Sequence, residues 1–240
     1  MNLLAIETSS PALSVAIKKC GTKLRHAAVR GYMKHAENLL PVIDRLLKKE
    51  KLKIADIDAF LISRGPGSFT GLRIGFATLK GLLAIRSKPC YGASSLDVIA
   101  AGINTLQRPG LCIAETRSLK GRFNLTVCLD ARRGKLYARS YVGREKRWIP
   151  SGPPRVVSVK EMDQGLPKGS WIAGDGTQKF DPKGLGVLPE KDWTPRASAL
   201  IKLFEAGDPL LKKLKHPKEF LPAYLRVSEA EEKLRERKHQ

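Results

Sequence analysis

The sequence predicts an α/β protein in which mixed β-sheets are flanked by helices. Two observations lead to this prediction. Short apolar runs alternate with amphipathic segments through the first 100 residues, and one glycine-rich turn leads from an apolar run into a long apolar segment. The order in this half is three strands, helix, strand, helix, strand, helix, and such an alternation closes into a sheet covered by helices.

Hydrophobic periodicity places the individual elements. Pro41 lies either in the first turn of its helix or at a kink in a helix that begins near Lys34. In the first half, the predicted strands cover residues 3–6, 13–17, 24–29, 59–63 and 89–92, and the predicted helices cover residues 38–49, 69–85 and 95–101. In the second half, we expect strands at residues 123–130, 135–142 and 171–173 and a helix at residues 197–206.

The glycine-rich turn is the most informative segment, and residues 65–75 read Gly-Pro-Gly-Ser-Phe-Thr-Gly-Leu-Arg-Ile-Gly. Gly65 and Gly67 permit backbone angles that other residues avoid, and Ser68 or Thr70 can cap the following helix. A turn of this kind can hold an anion against free N–H groups at a helix start. However, no Gly-Lys-Ser/Thr follows the glycines, so the motif is not a phosphate loop. The residues alone favour a structural turn into a tightly packed helix.

Two helices carry patterns that suit close packing. In the second helix, Gly71, Gly75, Ala77 and Gly81 form a shallow groove that a neighbouring helix can approach. In the first helix, large apolar side chains fall on one face. These apolar residues are Leu39, Ile43, Leu46 and Leu47. The sequence leaves two alternatives open, because each face can bury against its own sheet or against a partner.

Net charge separates this chain from an average protein. It carries 44 Lys and Arg against 23 Asp and Glu, which gives a formal charge of +21. A positive field of this size attracts polyanions such as tRNA, and the attraction weakens with salt. A general lysine bias is the alternative explanation. Arg132, Arg133 and the C-terminal lysines are candidates for tRNA contact.

Cysteine usage and hydropathy indicate the compartment. The four cysteines lie far apart without a Cys-x-x-Cys pair, which fits a reducing cytosol and suggests no zinc site. The apolar start of the chain is too short for a signal peptide, and no apolar run reaches membrane-spanning length. We therefore expect a cytoplasmic protein without membrane contact.

Six segments line up in one order with a known family. They are residues 4–10 (Leu-Ala-Ile-Glu-Thr-Ser-Ser), 35–41 (His-Ala-Glu-Asn-Leu-Leu-Pro), 65–75, 92–96 (Gly-Ala-Ser-Ser-Leu), 130–132 (Asp-Ala-Arg) and 224–226 (Tyr-Leu-Arg). Together they resemble the TsaB family, also called YeaZ, of bacterial tRNA threonylcarbamoyladenosine biosynthesis subunits. The similarity is close over the first 100 residues and patchy afterwards. Two positions depart from the family pattern, because Glu7 stands where Asp is common and Ala36 where Ser is frequent.

This resemblance implies an actin/Hsp70/sugar-kinase-like fold of two related lobes. The expected division is an N-terminal lobe at residues 1–103, a degenerate second lobe at residues 104–227 and a charged tail at residues 228–240. It further implies a non-catalytic subunit that binds the catalytic paralogue TsaD, with the ATPase TsaE. That machinery modifies the adenosine beside the anticodon in tRNAs reading codons that begin with A. A homodimer is the expected state without TsaD.

The expected site residues fall into two groups. The partner-binding group is His35, Leu39, Leu40, Ile43, Leu46, Leu47, Phe69, Gly71, Leu72, Gly75, Leu79 and Gly81. The second group is a vestigial nucleotide or anion site at Glu7, Thr8, Ser9, Gly65, Gly67, Ser68, Asp130 and Gly174. We assign no catalytic residue and no metal ligand, since the histidines lack partners at ligand spacing. No cofactor is expected to bind tightly, and ATP with Mg²⁺ is a candidate only in the complex.

Two alternatives to the scaffold function stay open at this point. The first is an autonomous ATP-using enzyme of the kinase-like fold. The second is an RNase H-like nuclease, in which carboxylates near strand ends, such as Glu7, Asp130 and Asp175, would gather around two metal ions.

Overall fold

A computed structural model describes residues 1–31, 35–85, 87–103, 124–144, 147–216 and 219–226. Two six-stranded sheets dominate these residues, and helices cover their faces. The predicted α/β architecture of mixed sheets flanked by helices is therefore confirmed. Among the described residues, no helix is both long and apolar enough to span a bilayer.

The first sheet is built around the most N-terminal strand. Its spatial order is β12-β5-β4-β1-β2-β3, with β2 antiparallel and β4 parallel to β1. The strands are β1 (Leu3–Glu7), β2 (Ala12–Lys18), β3 (Arg25–Arg30), β4 (Ala59–Ser63), β5 (Cys90–Ala93) and β12 (Lys212–Lys213). Both faces of β1 and β4 are buried, which explains why they read as continuous apolar runs rather than alternating patterns.

The second sheet repeats this plan. Its order is β11-β10-β6-β7-β8, and β9 pairs with another part of β7. The strands are β6 (Asn124–Asp130), β7 (Lys135–Arg144), β8 (Arg147–Pro150), β9 (Arg155–Ser158), β10 (Trp171–Ala173) and β11 (Gly186–Val187). As in the first sheet, the central strand β6 has an antiparallel neighbour, β7, on one side and a parallel neighbour, β10, on the other.

Five α-helices accompany the sheets in the described residues: α1 (His35–Lys49), α2 (Phe69–Ile85), α3 (Ser95–Gly102), α4 (Val159–Gly165) and α5 (Ala197–Glu205). Helices α1 and α2 share one face of the first sheet, where their apolar residues form a single core cluster with β1, β2 and β4. Helix α5 covers the opposite face. Helix α3 packs against α5 and also contributes to the core of the second sheet, so it lies where the two lobes meet.

Comparison with the predicted elements gives several differences. Helix α1 begins at His35 rather than at residue 38, so Pro41 lies inside the helix. Residues 143–195, in which only one strand was predicted, also contain β8, β9, α4 and β11. Helix α5 packs against β1, β2 and β4 of the first sheet, although it follows the second sheet in sequence. The predicted division into lobes stays a prediction, since residues 104–123 and 227–240 lie outside the described residues.

Candidate functional site

The carboxyl end of β1 holds a buried acid. Glu7 is fully buried, and its Oε1 accepts hydrogen bonds from both the backbone N–H and the hydroxyl of Ser9 at 2.5 Å. Burial raises the pKa of Glu7, while the Ser9 and Ser63 hydroxyls partly oppose that rise. The Oε2 atom has no partner of hydrogen-bond geometry in the described part of the chain. Without a nearby cation, this environment favours the neutral form of the carboxyl group.

The glycine-rich turn lies directly against this strand end. Gly65 and Gly67 both have positive φ angles, and a Cβ on Gly67 would lie 2.1 Å from the Ser9 carbonyl oxygen. The backbone N–H of Ser68 donates to that same carbonyl at 2.7 Å. Ser68 also caps α2, because its Oγ accepts from the Gly71 N–H at 3.2 Å. The predicted anion-binding turn therefore directs one of its amides to the protein itself.

The glycine face of α2 packs against the same segment. A Cβ on Gly71 would lie 2.1 Å from the Thr8 carbonyl oxygen, and one on Gly75 would lie 2.3 Å from Thr8 Oγ1. These two glycines therefore admit the chain's own strand end rather than a helix of another subunit, which corrects their expected part in partner approach. Gly81 differs, since nothing lies within 4 Å of its Cβ position.

The leucine stripe of α1 is also filled from within the chain. Leu39, Ile43, Leu46 and Leu47 belong to the core under the first sheet, as does Leu79 of α2. Of the two alternatives left open by the sequence, burial against the chain's own sheet holds for these five side chains. Leu72 is also buried, and its Cδ1 lies beside the glycine-rich turn at Gly65. Leu40 is different, because 53% of its side chain is exposed. His35 is buried at the helix start, where its Nε2 lies 3.0 Å from the Ser10 carbonyl oxygen.

The carboxyl end of β6 is more polar than the end of β1. Asp130 forms ion pairs with Lys179 at 3.2 Å and Arg132 at 3.6 Å, and its N–H donates to Asp175 Oδ1. Burial raises the pKa of Asp175. Gly174 directly follows β10 and has φ +106°. Because it has no side chain, it can lie close to the neighbouring strand β6: a Cβ on Gly174 would be 2.0 Å from the Cys128 carbonyl oxygen.

The carboxylates at the strand ends do not assemble a metal centre. Across the described ranges, no group of three or more His, Cys, Asp or Glu side chains is arranged to hold a metal ion. The juxtaposition of Glu7, Asp130 and Asp175 that the nuclease alternative requires is therefore wrong for this structure. Asp130 and Asp175 do meet, but cationic side chains already neutralise Asp130.

Sequence reasoning missed an ionic network between the lobes. Asp97 of α3 accepts from Arg139 Nη1 through both carboxylate oxygens at 2.7 Å, and Tyr141 donates its hydroxyl to Asp97 Oδ1 at 2.7 Å. Burial raises the pKa of Asp97, and the Tyr141 hydroxyl and the Arg139 charge oppose it. A usable signal was present, because Asp97 is the one charged residue in an otherwise apolar helix.

A second missed contact involves the C-terminal segment. The Tyr224 ring stacks on Phe69 at a centroid distance of 4.4 Å and an interplanar angle of 8°. Arg73 Nε donates to the Tyr224 hydroxyl at 3.3 Å. The first turn of α2, which was expected to face a partner, is therefore partly covered by residues of the same chain.

Comparison with known proteins agrees with this architecture. The family described as "TsaD: tRNA N6-adenosine threonylcarbamoyltransferase" matches residues 31–194. A protein of Escherichia coli K12 named tRNA threonylcarbamoyladenosine biosynthesis protein TsaB is 32% identical over 190 residues, covering 77% of this chain and 75% of the relative. The protein of the same name from Haemophilus influenzae is 34% identical over 146 residues, covering 61% of this chain and 56% of that relative. The solved structure "YeaZ from Pseudomonas aeruginosa" superposes with a TM-score of 0.71 at 23% identity, over 93% of this chain and 99% of that one.

Two sheets with one strand plan, joined through packed helices, form a mixed-sheet α/β fold, which this chain shares with that YeaZ structure. At the ends of β1 and β6, the polar groups of this chain are bonded to its own backbone and side chains. The chain belongs to the TsaB/YeaZ family, and the resemblance found in the sequence is confirmed.

Proposed function

We propose that this chain is a non-catalytic subunit of tRNA threonylcarbamoyladenosine biosynthesis and that it binds a TsaD-like catalytic subunit. The proposal rests on one observation, namely the hydrogen bonding and burial of the groups at the end of β1. Glu7 is buried without a cationic partner among the described residues, and the Ser68 amide is bonded to Ser9. Such a site offers little to a phosphate group, so an autonomous ATP-using enzyme is disfavoured.

The proposed docking surface is the outer side of α1 and α2. These helices share one face of the first sheet, and their buried residues fill the core beneath them. Their outward positions carry an exposed leucine and several small residues, which permit close approach of another helix. They include Leu40 and Pro41 on α1 and Thr70, Ala77 and Gly81 on α2, which lie among exposed charged residues such as Arg45 and Arg73. Leu40 supplies burial, at roughly 1.5–3 kcal/mol for a fully buried large side chain.

Further partners follow from the same proposal. A TsaE-like ATPase would join the complex, and ATP with Mg²⁺ would bind only there. The charge of +21 supports tRNA contact, because phosphate neutralisation favours basic surfaces. Without a TsaD-like subunit, the same surface would pair two copies of this chain. All of these partners belong to the cytoplasm.

Co-purification with a TsaD-like subunit tests the docking surface. We expect Leu40→Glu and Gly81→Arg each to weaken the complex by at least about tenfold, since a charge would have to be desolvated at the interface. Both positions are exposed, so the free chain should keep its fold. Buried positions are unsuitable for this test, because Ile43 lies in the core and a side chain on Gly75 would collide with Thr8.

Ile149→Glu is the matched control. Ile149 is an exposed apolar residue on β8 of the second sheet, away from both helices. The Ile149→Glu substitution should leave the affinity for the TsaD-like subunit unchanged. Equal affinity of the Leu40→Glu and Gly81→Arg variants and the unmodified chain would contradict the docking surface. Turnover of ATP by the isolated chain at an enzyme-like rate would contradict the non-catalytic assignment.

A further inference from the structure

The C-terminal segment 219–226, here called the strap, passes from one lobe to the other. Phe220 packs against the core beneath α1 and α2, and the Ala223 N–H donates to the Arg64 carbonyl oxygen at 2.7 Å. Only two residues later, Leu225 packs against the core of the second sheet. Arg226 Nη1 then donates to the carbonyl oxygens of Ala131 and Arg132 in the β6–β7 hairpin. The strap therefore joins the ends of the two sheets.

The strap lies over the glycine-rich turn of the first lobe. A Cβ on Gly65 would lie 3.5 Å from the Ala223 carbonyl oxygen, and the Tyr224 ring covers one face of Phe69 at the start of α2. The hairpin that Arg226 contacts follows the central strand of the second sheet directly. Both anchor points are thus strand-end turns, one following a strand of each sheet.

The strap and the Asp97–Arg139 pair, two of the connections between the lobes in the described residues, differ in how readily they can open. The Asp97–Arg139 pair is buried, with exposed side-chain fractions of 4% and 15%, and Tyr141 is fully buried. Separating Asp97 from Arg139 would leave an unpaired charge in the protein interior. Tyr224, by contrast, is 42% exposed, and its stack and its hydroxyl bond lie at the surface. Local opening is easiest where few contacts are buried.

From this difference we infer that the strap is a releasable clasp. Its opening uncovers the Gly65–Ser68 turn and the first turn of α2, while the Asp97–Arg139 contact keeps the lobes together. Two residues of the strap set the population of the closed state, and each contacts a different lobe: Tyr224 contacts α2, and Arg226 contacts the β6–β7 hairpin. The clasp involves this chain alone.

Amide hydrogen exchange of the full chain tests the clasp, because the Ala223 N–H reports directly on closure. We expect Tyr224→Ala to accelerate exchange at Ala223 by at least about fivefold, since an aromatic stack and its buried area are lost. Arg226→Ala should accelerate the same amide from the other anchor. Exchange at Ala5 in β1 and Val127 in β6 should stay unchanged, because both belong to the central strands.

Leu221→Ala is the matched control, since Leu221 is an exposed apolar residue of the same segment. It should leave exchange at Ala223 unchanged. If Tyr224→Ala does not fold, Tyr224→Leu keeps apolar bulk without the stack and should show the same selective acceleration. Unchanged exchange at Ala223 in the tyrosine and arginine variants would overturn the inference. Equal acceleration at Ala223, Ala5 and Val127 would overturn it as well, because that result marks global destabilisation.

Discussion

The two sheets share a strand plan, but their central strands end in opposite chemical environments. At the end of β1, Glu7 is fully buried, and its hydrogen bonds within the described residues come from the Ser9 hydroxyl and backbone N–H. At the end of β6, Asp130 is held by Lys179 and the Arg132 side chain. The neighbouring side chains account for the difference, since Ser9 and Ser63 supply hydroxyls to Glu7, whereas Arg132 and Lys179 supply cations to Asp130.

This contrast shows that repeated topology does not fix the chemistry of a site. A cleft that could hold a nucleotide needs free amides and charged groups at both strand ends. In the first lobe, the Ser68 amide and the α2 glycines are engaged by residues 8 and 9. In the second lobe, Asp130 is paired with Lys179. Helix packing therefore engages the groups at one strand end, whereas ion pairing engages those at the other.

The largest expected effect comes from the glycine face in the first lobe. Gly71→Val would place a side chain 2.1 Å from the Thr8 carbonyl oxygen, so α2 would have to move away from β1. We expect a loss of more than about 4 kcal/mol in the free energy of unfolding, measured by urea denaturation. Gly81→Ala is the control, because its Cβ meets open space and alanine favours a helix by roughly 1 kcal/mol. A fully stable Gly71→Val variant would refute the close packing of Thr8.

The next effect concerns the junction of the lobes. Asp97→Asn would remove the charge that pairs with Arg139, whose side chain is only 15% exposed, and leave that cation without its counter-charge. We expect a loss of about 3–5 kcal/mol in the free energy of unfolding at neutral pH. Asp44→Asn breaks the exposed pair with Lys48 and should change the same free energy by less than about 1 kcal/mol. Equal losses in the two variants would show that the junction is not held by burial of this pair.

The smallest expected effect is a pH dependence at the end of β1. Burial raises the pKa of Glu7 above 4.5, so the folded state keeps the proton at pH values where the unfolded state has released it. The free energy of unfolding therefore falls as pH rises from about 4.5 to the pKa of Glu7 in the folded state, by at most about 1.4 kcal/mol per pH unit. Glu7→Gln should flatten that part of the curve of unfolding free energy against pH.

Glu37→Gln is the control for this pH series, because Glu37 is exposed in the first turn of α1. Asp97, whose pKa burial also raises, should contribute its own slope in every variant. If the Glu7→Gln curve runs parallel to that of the unmodified chain, the carboxyl group is not held in its neutral form by the fold.

Local patterns predicted most of the first lobe, since its strands and helices obey simple periodicities. The strand at residues 59–63 and the helix at residues 69–85 coincide with β4 and α2. Periodicity could not tell which neighbour buries the apolar face of α1, because the same stripe suits a sheet and a partner helix. The missed helix α4 had a usable local signal, because Ser158 and Glu161 form a capping box.

Contacts between residues far apart in sequence could not be predicted. Glu7, Ser63 and Ser95 come from three different elements, and only the fold makes Glu7 a buried acid. The Tyr224–Phe69 stack likewise joins residues that are far apart in sequence. For the same reason, the glycines at 71 and 75 suggested a partner groove, although their actual neighbour is Thr8.

The return of α5 to the first sheet has a consequence during synthesis. The Ala197 N–H donates to Ser14 Oγ across 183 positions of sequence, and α5 side chains cover one face of β1, β2 and β4. At roughly 5–20 residues per second, a ribosome needs on the order of 10–40 s to make that distance. Until α5 is synthesised, one apolar face of the nascent first sheet stays exposed to solvent, and chaperones can bind such a face. A fragment that ends after the first lobe would carry that surface permanently.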